Sequence, residues 1–300
     1  MSGRSEKLIS WLFETRAVRV CPEGRPFWYT SGTIGPYYIN THFLYGSEEK
    51  ANELLGLIDS EKHDKPVCIQ KVMKAVKGNY RKDIIYKGMI DEMCLFVKSH
   101  VNLDKVDYIS GGERRDWFFS ILVADLLKKP HLSIFKDLTC VMSSGDETGP
   151  ADRLTGKKVL HIADLITEAS SYERAWIPAM ESRGAEMKWS FVVVDRKQGG
   201  GELLAEKGVE SHAMVSIDRS LFEKAVALGL MSMEQFRMID DYIRNPKESM
   251  RNFLYEHPDF LRDALYSKDK TRERAELLLC KNPYDLDEEF LNKFKQNKCS

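Results

Sequence analysis

The sequence lacks the features that mark several large classes of protein. Its six cysteines are scattered singly and form no C-x-x-C pair, the spacing used by many structural zinc and redox sites. No stretch approaches the roughly 18 to 20 apolar residues that span a bilayer, and the first residues contain no long apolar run ending in small residues. These absences predict free thiols in a cytoplasmic protein without a membrane partner.

An excess of charge of either sign is also missing. The 45 lysines and arginines are balanced by 46 aspartates and glutamates, so the formal net charge is −1. A global electrostatic attraction to nucleic acid or anionic lipid is therefore absent, and no helix-turn-helix signal is recognisable. We expect no nucleic-acid partner. The hydrophobic content of 43% over 300 residues predicts a globular protein with a sizeable core.

The hydrophobic pattern changes twice along the chain. Residues 1–100 combine a short amphipathic helix, an aromatic segment with turn residues at 27–40, and further helices. Residues 101–218 alternate short apolar runs with helical stretches, which predicts a parallel sheet covered on both faces. Residues 219–300 are helical in period throughout. The five predicted strands are Val106–Ser110, Leu132–Lys136, Val159–Asp164, Trp189–Asp195 and Ala213–Ile217.

A lysine-rich stretch from Asp59 to Lys87 lies among the early helices. Lys71, Lys74 and Lys77 recur at three-residue spacing, opposite apolar residues. This pattern favours a solvated helix face that packs by its other side. An anion-binding patch is the alternative.

The loop after the third predicted strand combines an acid with hydroxyl groups. Asp164 ends the strand, and Thr167, Ser170 and Ser171 follow where the next helix should begin. Backbone N–H groups and hydroxyls at a helix N-terminus bind anions, so a phosphate can dock there. Asp164 beside it can hold sugar hydroxyls or a bridging Mg²⁺. An ordinary capping cluster is the alternative.

Two further loops follow predicted strands. Gly111 and Gly112 precede Arg114 and Arg115, an arrangement that suits a pyrophosphate because glycines permit close backbone approach and arginines bind phosphate. A structural glycine turn with surface arginines is the alternative. Arg196, directly after the fourth strand, can bind a carboxylate with its guanidinium group, unless the loop is simply solvated.

These three turns, in this order, resemble those of orotate phosphoribosyltransferases. The segment Tyr29–Asn40, YTSGTIGPYYIN, is similar to that family's aromatic S-G-x-x-x-P-Y-Y-x-N motif. The resemblance implies the type I phosphoribosyltransferase fold, an α/β structure with a five-stranded parallel sheet flanked by helices, and a homodimer. It divides the chain into an N-terminal hood segment with a helical insertion (1–100), a phosphoribosyltransferase core (101–218) and a helical C-terminal extension (219–300).

The same resemblance implies a reaction and the residues that perform it. The family transfers ribose 5-phosphate from phosphoribosyl pyrophosphate to orotate, in pyrimidine nucleotide synthesis, with Mg²⁺ as cofactor. By match to the family's motifs, the base-binding residues are Tyr37, Tyr38 and Arg196. The catalytic residues are Asp164, Arg115 and Lys136, and Asp164 is also the metal ligand. The donor's phosphate groups are assigned to Gly111, Gly112, Arg114, Arg115, Thr167, Ser170 and Ser171.

The sequence departs from the family at the donor site. Ala163 replaces the first of two paired acids, and Glu168 brings a carboxylate into the phosphate loop. The segment from Phe135 to Glu147 aligns with a mobile catalytic loop that carries a lysine and a histidine in the family, but here only Lys136 is basic. Two hypotheses follow: a phosphoribosyltransferase acting on orotate or a related base, and a catalytically impaired homologue that senses a nucleotide or pyrimidine.

Overall fold

Short strands and helices alternate through the middle of the chain in the computed structural model, which describes residues 2–145 and 147–295. The strands are β1 (Val18–Val20), β2 (Phe27–Trp28), β3 (Ile34–Gly35), β4 (Tyr37–Ile39), β5 (Tyr108–Gly112), β6 (His131–Ile134), β7 (Cys140–Ser144), β8 (Glu147–Pro150), β9 (Lys158–Ile166), β10 (Glu186–Asp195) and β11 (Glu210–Ser216). The helices are α1 (Ser2–Glu14), α2 (Glu48–Glu61), α3 (Lys65–Tyr80), α4 (Ile84–His100), α5 (Trp117–Leu126), α6 (Ile177–Glu181), α7 (Gly200–Glu206), α8 (Arg219–Ala227), α9 (Met233–Arg244), α10 (Pro246–Glu256), α11 (Pro258–Tyr266), α12 (Lys270–Lys281) and α13 (Glu288–Lys295).

These elements form two compact units. One comprises residues 1–17 and 40–221, and the other comprises residues 18–39 and 222–300. Within the described part of the chain, no helix is long and apolar enough to cross a membrane. The five described cysteines have free thiols, as the scattered spacing predicts.

The larger unit contains a seven-stranded sheet in the order β11-β10-β9-β5-β6-β7-β8. Its first five strands are parallel and correspond to the five predicted apolar runs, so the predicted parallel sheet is confirmed. The sheet has two more strands than predicted, because β7 and β8 add an antiparallel hairpin to the edge of β6. This hairpin comes from the segment that aligns with a mobile loop. Cys140 and Val141 are buried in it, which gives the segment a reason to pair with the sheet.

Helices cover the parallel strands. Nearly all of α5 is buried, and it contacts β5, β6 and β9 as well as α3 and α4. A π-helical turn at Tyr172–Trp176 precedes the short α6, in which Pro178 occupies the first turn.

The second unit joins the aromatic segment to the C-terminal helices. Trp28 and Ile34 share one hydrophobic cluster with residues of α10, α11 and α12. The Tyr284 hydroxyl accepts a hydrogen bond from the Ile34 backbone nitrogen at 2.7 Å. Gly32 has a φ of +85°, and a Cβ there would lie 2.9 Å from Leu277, so only glycine fits this turn.

Candidate functional site

The carboxyl ends of β5, β6 and β9 surround a cavity of about 330 Å³. Loops that follow parallel strands meet at one edge of a sheet, which is where such folds bind ligands. Glu113 to Asp116 follow β5, Lys136 follows β6, and residues from Ala163 to Tyr172 come from the end of β9 and its loop. The cavity brings together most of the predicted donor-site and catalytic residues: Arg114, Arg115, Lys136, Asp164, Thr167, Ser170 and Ser171.

Three cationic side chains line this cavity. Arg115 and Lys136 are exposed, whereas Arg114 forms an ion pair with Asp59 at the C-terminal end of α2. The backbone nitrogen of Lys136 donates to Glu113 Oε2 across 3.1 Å, which connects the loops after β5 and β6. These cations can pair with a phosphate or pyrophosphate group, and the cavity is also lined by four acidic residues, Glu113, Asp116, Asp164 and Glu168.

Lys65 of α3 holds the turn that follows Lys136. Its ammonium group donates to Thr139 Oγ1 at 2.6 Å and pairs with the Asp137 carboxylate. The Lys65 ammonium and the Thr139 hydroxyl lower the pKa of Asp137 to about 2. The insertion that contains α2 and α3 therefore contacts the loops of the cavity at two places, Arg114 and this turn.

Asp116 is a cavity residue that the sequence analysis missed. Its Oδ2 atom accepts a hydrogen bond from the Gly112 backbone nitrogen at 2.9 Å, and its Oδ1 atom accepts one from the Asp164 backbone nitrogen at 3.0 Å. Burial, followed by the neighbouring Asp116 carboxylate, raises the pKa of Asp164, while Arg115 acts in the opposite direction. The only sequence signal for Asp116 was its position directly after the paired arginines.

The two glycines of the loop are required by neighbouring protein atoms. A Cβ on Gly111 would lie 2.1 Å from the Ser120 hydroxyl, and one on Gly112 would lie 2.3 Å from the Trp176 ring. The Gly111 carbonyl also accepts a hydrogen bond from the indole N–H of Trp117 at 2.9 Å. Packing thus explains both glycines, and their assignment to phosphate binding stays a prediction.

Two buried histidines, His161 and His42, lie close to residues of the cavity. His161 Nδ1 is 2.9 Å from the Ser110 hydroxyl, and its Nε2 is 3.4 Å from Asp116 Oδ2. Burial lowers the pKa of His42 to about 3, with smaller contributions from Arg115 and Arg114, which places His42 within the field of both arginines. Periodicity analysis did not find these residues, because a single buried histidine in a strand or turn produces no periodic signal.

His131, in β6, belongs to a second group of buried polar side chains. Its Nε2 lies 2.9 Å from the Ser120 hydroxyl and its Nδ1 lies 3.0 Å from the Ser133 hydroxyl. Burial is the main cause that lowers the pKa of His131 to about 3, and His161 contributes to the same shift. His131 is therefore neutral at physiological pH.

The hydroxyl-bearing loop after β9 makes a tight turn. Ala169 has a φ of +55°, and the Thr167 carbonyl accepts a hydrogen bond from the Gly200 backbone nitrogen at 2.9 Å. Ser170, Ser171 and Glu168 are exposed at the cavity. The turn leads into a π-helical turn and not into the regular α-helix that was expected. It still supplies hydroxyl groups to the cavity, from a different loop than the one that carries Arg114 and Arg115.

The predicted base-binding residues lie outside the set that lines this cavity. Arg196 follows β10, and its backbone nitrogen donates to the Ile166 carbonyl at 3.0 Å, so it lies at the same edge of the sheet. Its Nε atom is buried and has no hydrogen-bond partner within the described residues. A buried donor without a partner is uncommon and calls for an explanation.

Tyr37 and Tyr38 belong to the smaller unit. Tyr37 is buried against Phe222, with ring centroids 5.3 Å apart. The Tyr38 hydroxyl donates to the Trp28 carbonyl at 2.6 Å, and its ring lies edge-on to Tyr29 at 5.1 Å. Both tyrosines have structural contacts in that unit, and their assignment to the base stays a prediction.

The carboxylates of the cavity are compatible with a magnesium ion. Among the described residues, no cluster of three or more histidine, cysteine, aspartate or glutamate side chains has the arrangement of a metal site. Mg²⁺ is commonly held by one or two carboxylates together with water and substrate phosphates. The adjacent Asp116 and Asp164 carboxylates suit that mode of binding, although they do not form a metal site by themselves.

Comparison with solved structures identifies the fold. The UMP synthase of Leishmania donovani matches with a TM-score of 0.50 and 17% identity over 84% of this chain and 42% of that chain. The orotate phosphoribosyltransferase of Francisella tularensis matches with a TM-score of 0.50 and 13% identity over 79% of this chain and 96% of that chain. The sheet and its loops thus define the type I phosphoribosyltransferase fold.

Sequence comparison narrows the similarity to orotate phosphoribosyltransferases. The enzyme of Halobacterium salinarum is 39% identical over 75 residues, and that of Thermoplasma acidophilum is 33% identical over 64 residues. These alignments cover 23% and 21% of this chain and 42% and 37% of the relatives, so the chain matches less than half the length of each. No protein-family model matches the chain.

Proposed function

We propose that this protein is a phosphoribosyltransferase that transfers ribose 5-phosphate from phosphoribosyl pyrophosphate to orotate or a related base. The observation that carries the proposal is the cavity at the carboxyl edge of the sheet, where arginine, lysine, hydroxyl and carboxylate groups meet. A donor with a phosphate at one end and a pyrophosphate at the other needs cations and hydroxyls on different loops around one space.

The chain's own residues supply distinct parts of the reaction. In the transfer, the bond from the ribose C1′ to the pyrophosphate oxygen breaks and a bond from C1′ to a base nitrogen forms. Arg115 and Lys136 bind the pyrophosphate and neutralise the charge that grows on it as it leaves. Thr167, Ser170 and Ser171 bind the 5′-phosphate with their hydroxyls and backbone N–H groups.

The carboxylates and Arg196 orient the two substrates. Asp164 accepts hydrogen bonds from the ribose hydroxyls, and Asp116 fixes the backbone of Asp164. Mg²⁺, when bound by Asp164 and Asp116, would screen the donor's negative charge. Arg196 binds the carboxylate of the base with its guanidinium group, consistent with its buried Nε lacking a protein partner.

Calorimetric titration with phosphoribosyl pyrophosphate, with and without Mg²⁺, tests this function. Arg115→Ala should weaken binding by about tenfold or more, because a charge-assisted hydrogen bond contributes roughly 1.5 to 3 kcal/mol. Arg153→Ala, at an exposed arginine outside the cavity, is the control. Equal affinity of the two variants would reject the donor site.

A sensor without turnover is the second candidate. It is favoured by Ala163, which removes one acid of the family's pair, and by the absence of basic residues between Thr139 and Glu147 in the sequence. Pyrophosphate release in the presence of orotate discriminates between the two candidates. Release identifies an enzyme, whereas binding of donor or base without release identifies a sensor. The homodimer and the cytoplasmic location remain predictions, and sedimentation analysis tests the first.

A further inference from the structure

A second cavity, of about 600 Å³, lies between α3 and the edge hairpin formed by β7 and β8. It is separate in sequence from the loops of the candidate donor site. One face of α3 lines it, since residues 70, 73, 74, 77 and 81 recur at helical spacing. The hairpin side is lined by Ser143, Gly145 and Thr148.

The helix side of this cavity is cationic. Lys74, Lys77 and Arg81 line it, and no acidic side chain is among its described lining residues. Lys77 is paired with Asp125 at 2.8 Å, and Lys71, outside the cavity, is paired with Glu61 at 2.6 Å. Lys74 and Arg81 have no carboxylate partner in the described part of the chain. Lys71 and Lys77 are therefore neutralised by carboxylates of the protein, whereas Lys74 and Arg81 can pair with an anionic ligand.

The hairpin side contributes a buried hydroxyl without a partner. Ser143 is only 4% exposed, and its Oγ atom has no hydrogen-bond partner among the described residues. Leaving a buried hydroxyl unpaired costs stability, so such groups are uncommon and call for an explanation. Thr148 is directly opposite Ser143 in the antiparallel ladder, which places both hydroxyl-bearing side chains on one face of the hairpin.

We propose that this cavity binds a phosphorylated small molecule. Unpaired lysine and arginine side chains facing hydroxyl groups form a phosphate-binding arrangement. The volume lies within the range of small-molecule sites, and Ile69 and Met73 provide an apolar part of the wall for the rest of the ligand. A long polyanion such as nucleic acid is a poorer fit, because the net charge is −1 and the unpaired cations are confined to one helix face.

Inorganic pyrophosphate is the probe, used with the full chain in an Arg115→Ala background so that the candidate donor site contributes little. Amide chemical shifts report the location and calorimetry reports the affinity. We expect the Ser143 and Thr148 amides to shift with a common dissociation constant. Lys74→Gln with Arg81→Gln should weaken that constant by about tenfold or more, because two charge-assisted contacts are lost.

A control double variant removes two positive charges outside the cavity. Lys82→Gln with Lys98→Gln changes two exposed lysines that do not line the cavity and should leave the affinity within about twofold. Unshifted hairpin amides at millimolar pyrophosphate, or equal weakening by the two double variants, would overturn the proposal. Neither result bears on the donor site, which is tested separately.

Ser143→Ala provides an independent check that does not depend on charge. It should weaken pyrophosphate about threefold or more while leaving the thermal midpoint of the ligand-free protein unchanged or raised, because it removes an unpaired buried group. Unchanged affinity together with a lowered midpoint would show that the hydroxyl serves folding and would count against the site.

Discussion

The Oδ1 atom of Asp116 accepts a hydrogen bond from the Asp164 backbone nitrogen across 3.0 Å, which joins the loop after β5 to the strand that carries the candidate catalytic acid. The other oxygen of the same carboxylate holds Gly112. One side chain thus fixes the backbone on both sides of the cavity, although nothing in the sequence motif assigns it a role.

Replacing Asp116 by asparagine should destabilise the protein. An amide can accept only one of the two backbone hydrogen bonds, and the other N–H is left facing an NH₂ group. We expect the free energy of unfolding to fall by roughly 1 to 3 kcal/mol, the cost of an unsatisfied buried donor. Urea denaturation measures it, with the exposed Asp104→Asn as control. A change no larger than that of the control would contradict this role.

Stability should fall as the pH is lowered from 7 to 5, because His131 is held neutral. Its pKa is about 3 in the folded protein and 6.5 in the unfolded chain, so below 6.5 only the unfolded state takes up the proton. The free energy of unfolding therefore falls by about 1.4 kcal/mol per pH unit for each such histidine. His42 behaves in the same way.

Urea unfolding at pH 7, 6 and 5 isolates the contribution of His131. His131→Gln should reduce the slope of unfolding free energy against pH by about one proton. The exposed His63→Gln is the control. An unaltered slope in His131→Gln would disprove the assignment, whatever the absolute stability of the variant.

Removing the carboxylate of Glu168 should strengthen donor binding. Two unit charges 5 Å apart at an effective dielectric of 20 interact by roughly 3 kcal/mol, and the exposure of Glu168 reduces this through solvent screening. We therefore expect Glu168→Thr to improve the affinity for phosphoribosyl pyrophosphate by about three- to tenfold. Glu206→Thr is the charge-matched control, and a loss of affinity in Glu168→Thr would show that Glu168 assists the donor.

Ala163→Asp, which restores the acid that the family has at this position, should destabilise the folded protein. Ala163 is 2% exposed and belongs to the hydrophobic cluster that contains Tyr172 and Trp176. A carboxylate there would be buried close to Asp164, at a cost of several kcal/mol. The double variant Ala163→Asp with Glu168→Thr should therefore bind the donor better than wild type but unfold at a lower urea concentration than Glu168→Thr alone.

Arg196→Ala should weaken orotate binding by roughly 1.5 to 3 kcal/mol, the range for a hydrogen bond to a charged group. The neighbouring Lys197→Ala is the control, since Lys197 pairs with Asp195 at 3.2 Å and is exposed. Calorimetry with orotate compares the two. If both variants bind orotate like wild type, Arg196 has no part in holding the base.

Asp59→Asn should increase the affinity of the cavity for pyrophosphate, because Asp59 pairs with Arg114 and competes with an anionic ligand. Both side chains are partly exposed, so we expect a change of about two- to fivefold. Glu53→Gln removes one negative charge from an exposed position of the same helix and is the control. An equal gain in both variants would indicate a general charge effect.

The parallel sheet could be predicted because its strands are nearly continuous apolar runs. The loops that follow these runs carry the arginines and hydroxyls, so the position of Arg115, Asp164 and Ser170 at one edge followed from topology. Asp116 and His161 could not be found in this way, because their roles arise from contacts between strands distant in sequence. The pairing of Ile34 with Tyr284, 250 residues apart, is of the same kind.

The edge hairpin was missed because resemblance assigned its residues to a loop. Its strands are only five and four residues long, and the neighbouring Cys140 and Val141 are both buried, so buried and exposed residues do not alternate regularly. The pairing of Ile134 with Cys140 shows why the segment turns back: β6 offers an edge, and a five-residue connection reaches it.

That hairpin also determines how the sheet ends. Without it, β6 would present the unpaired hydrogen-bonding edge of a strand that is buried along its whole length, a template on which another chain could add a strand. The sheet instead ends on β8, four residues long, with exposed Glu147 at one end and exposed Pro150, which has no N–H to donate, at the other. We therefore expect the segment to protect the protein from aggregation through this edge, independently of any part it takes in catalysis.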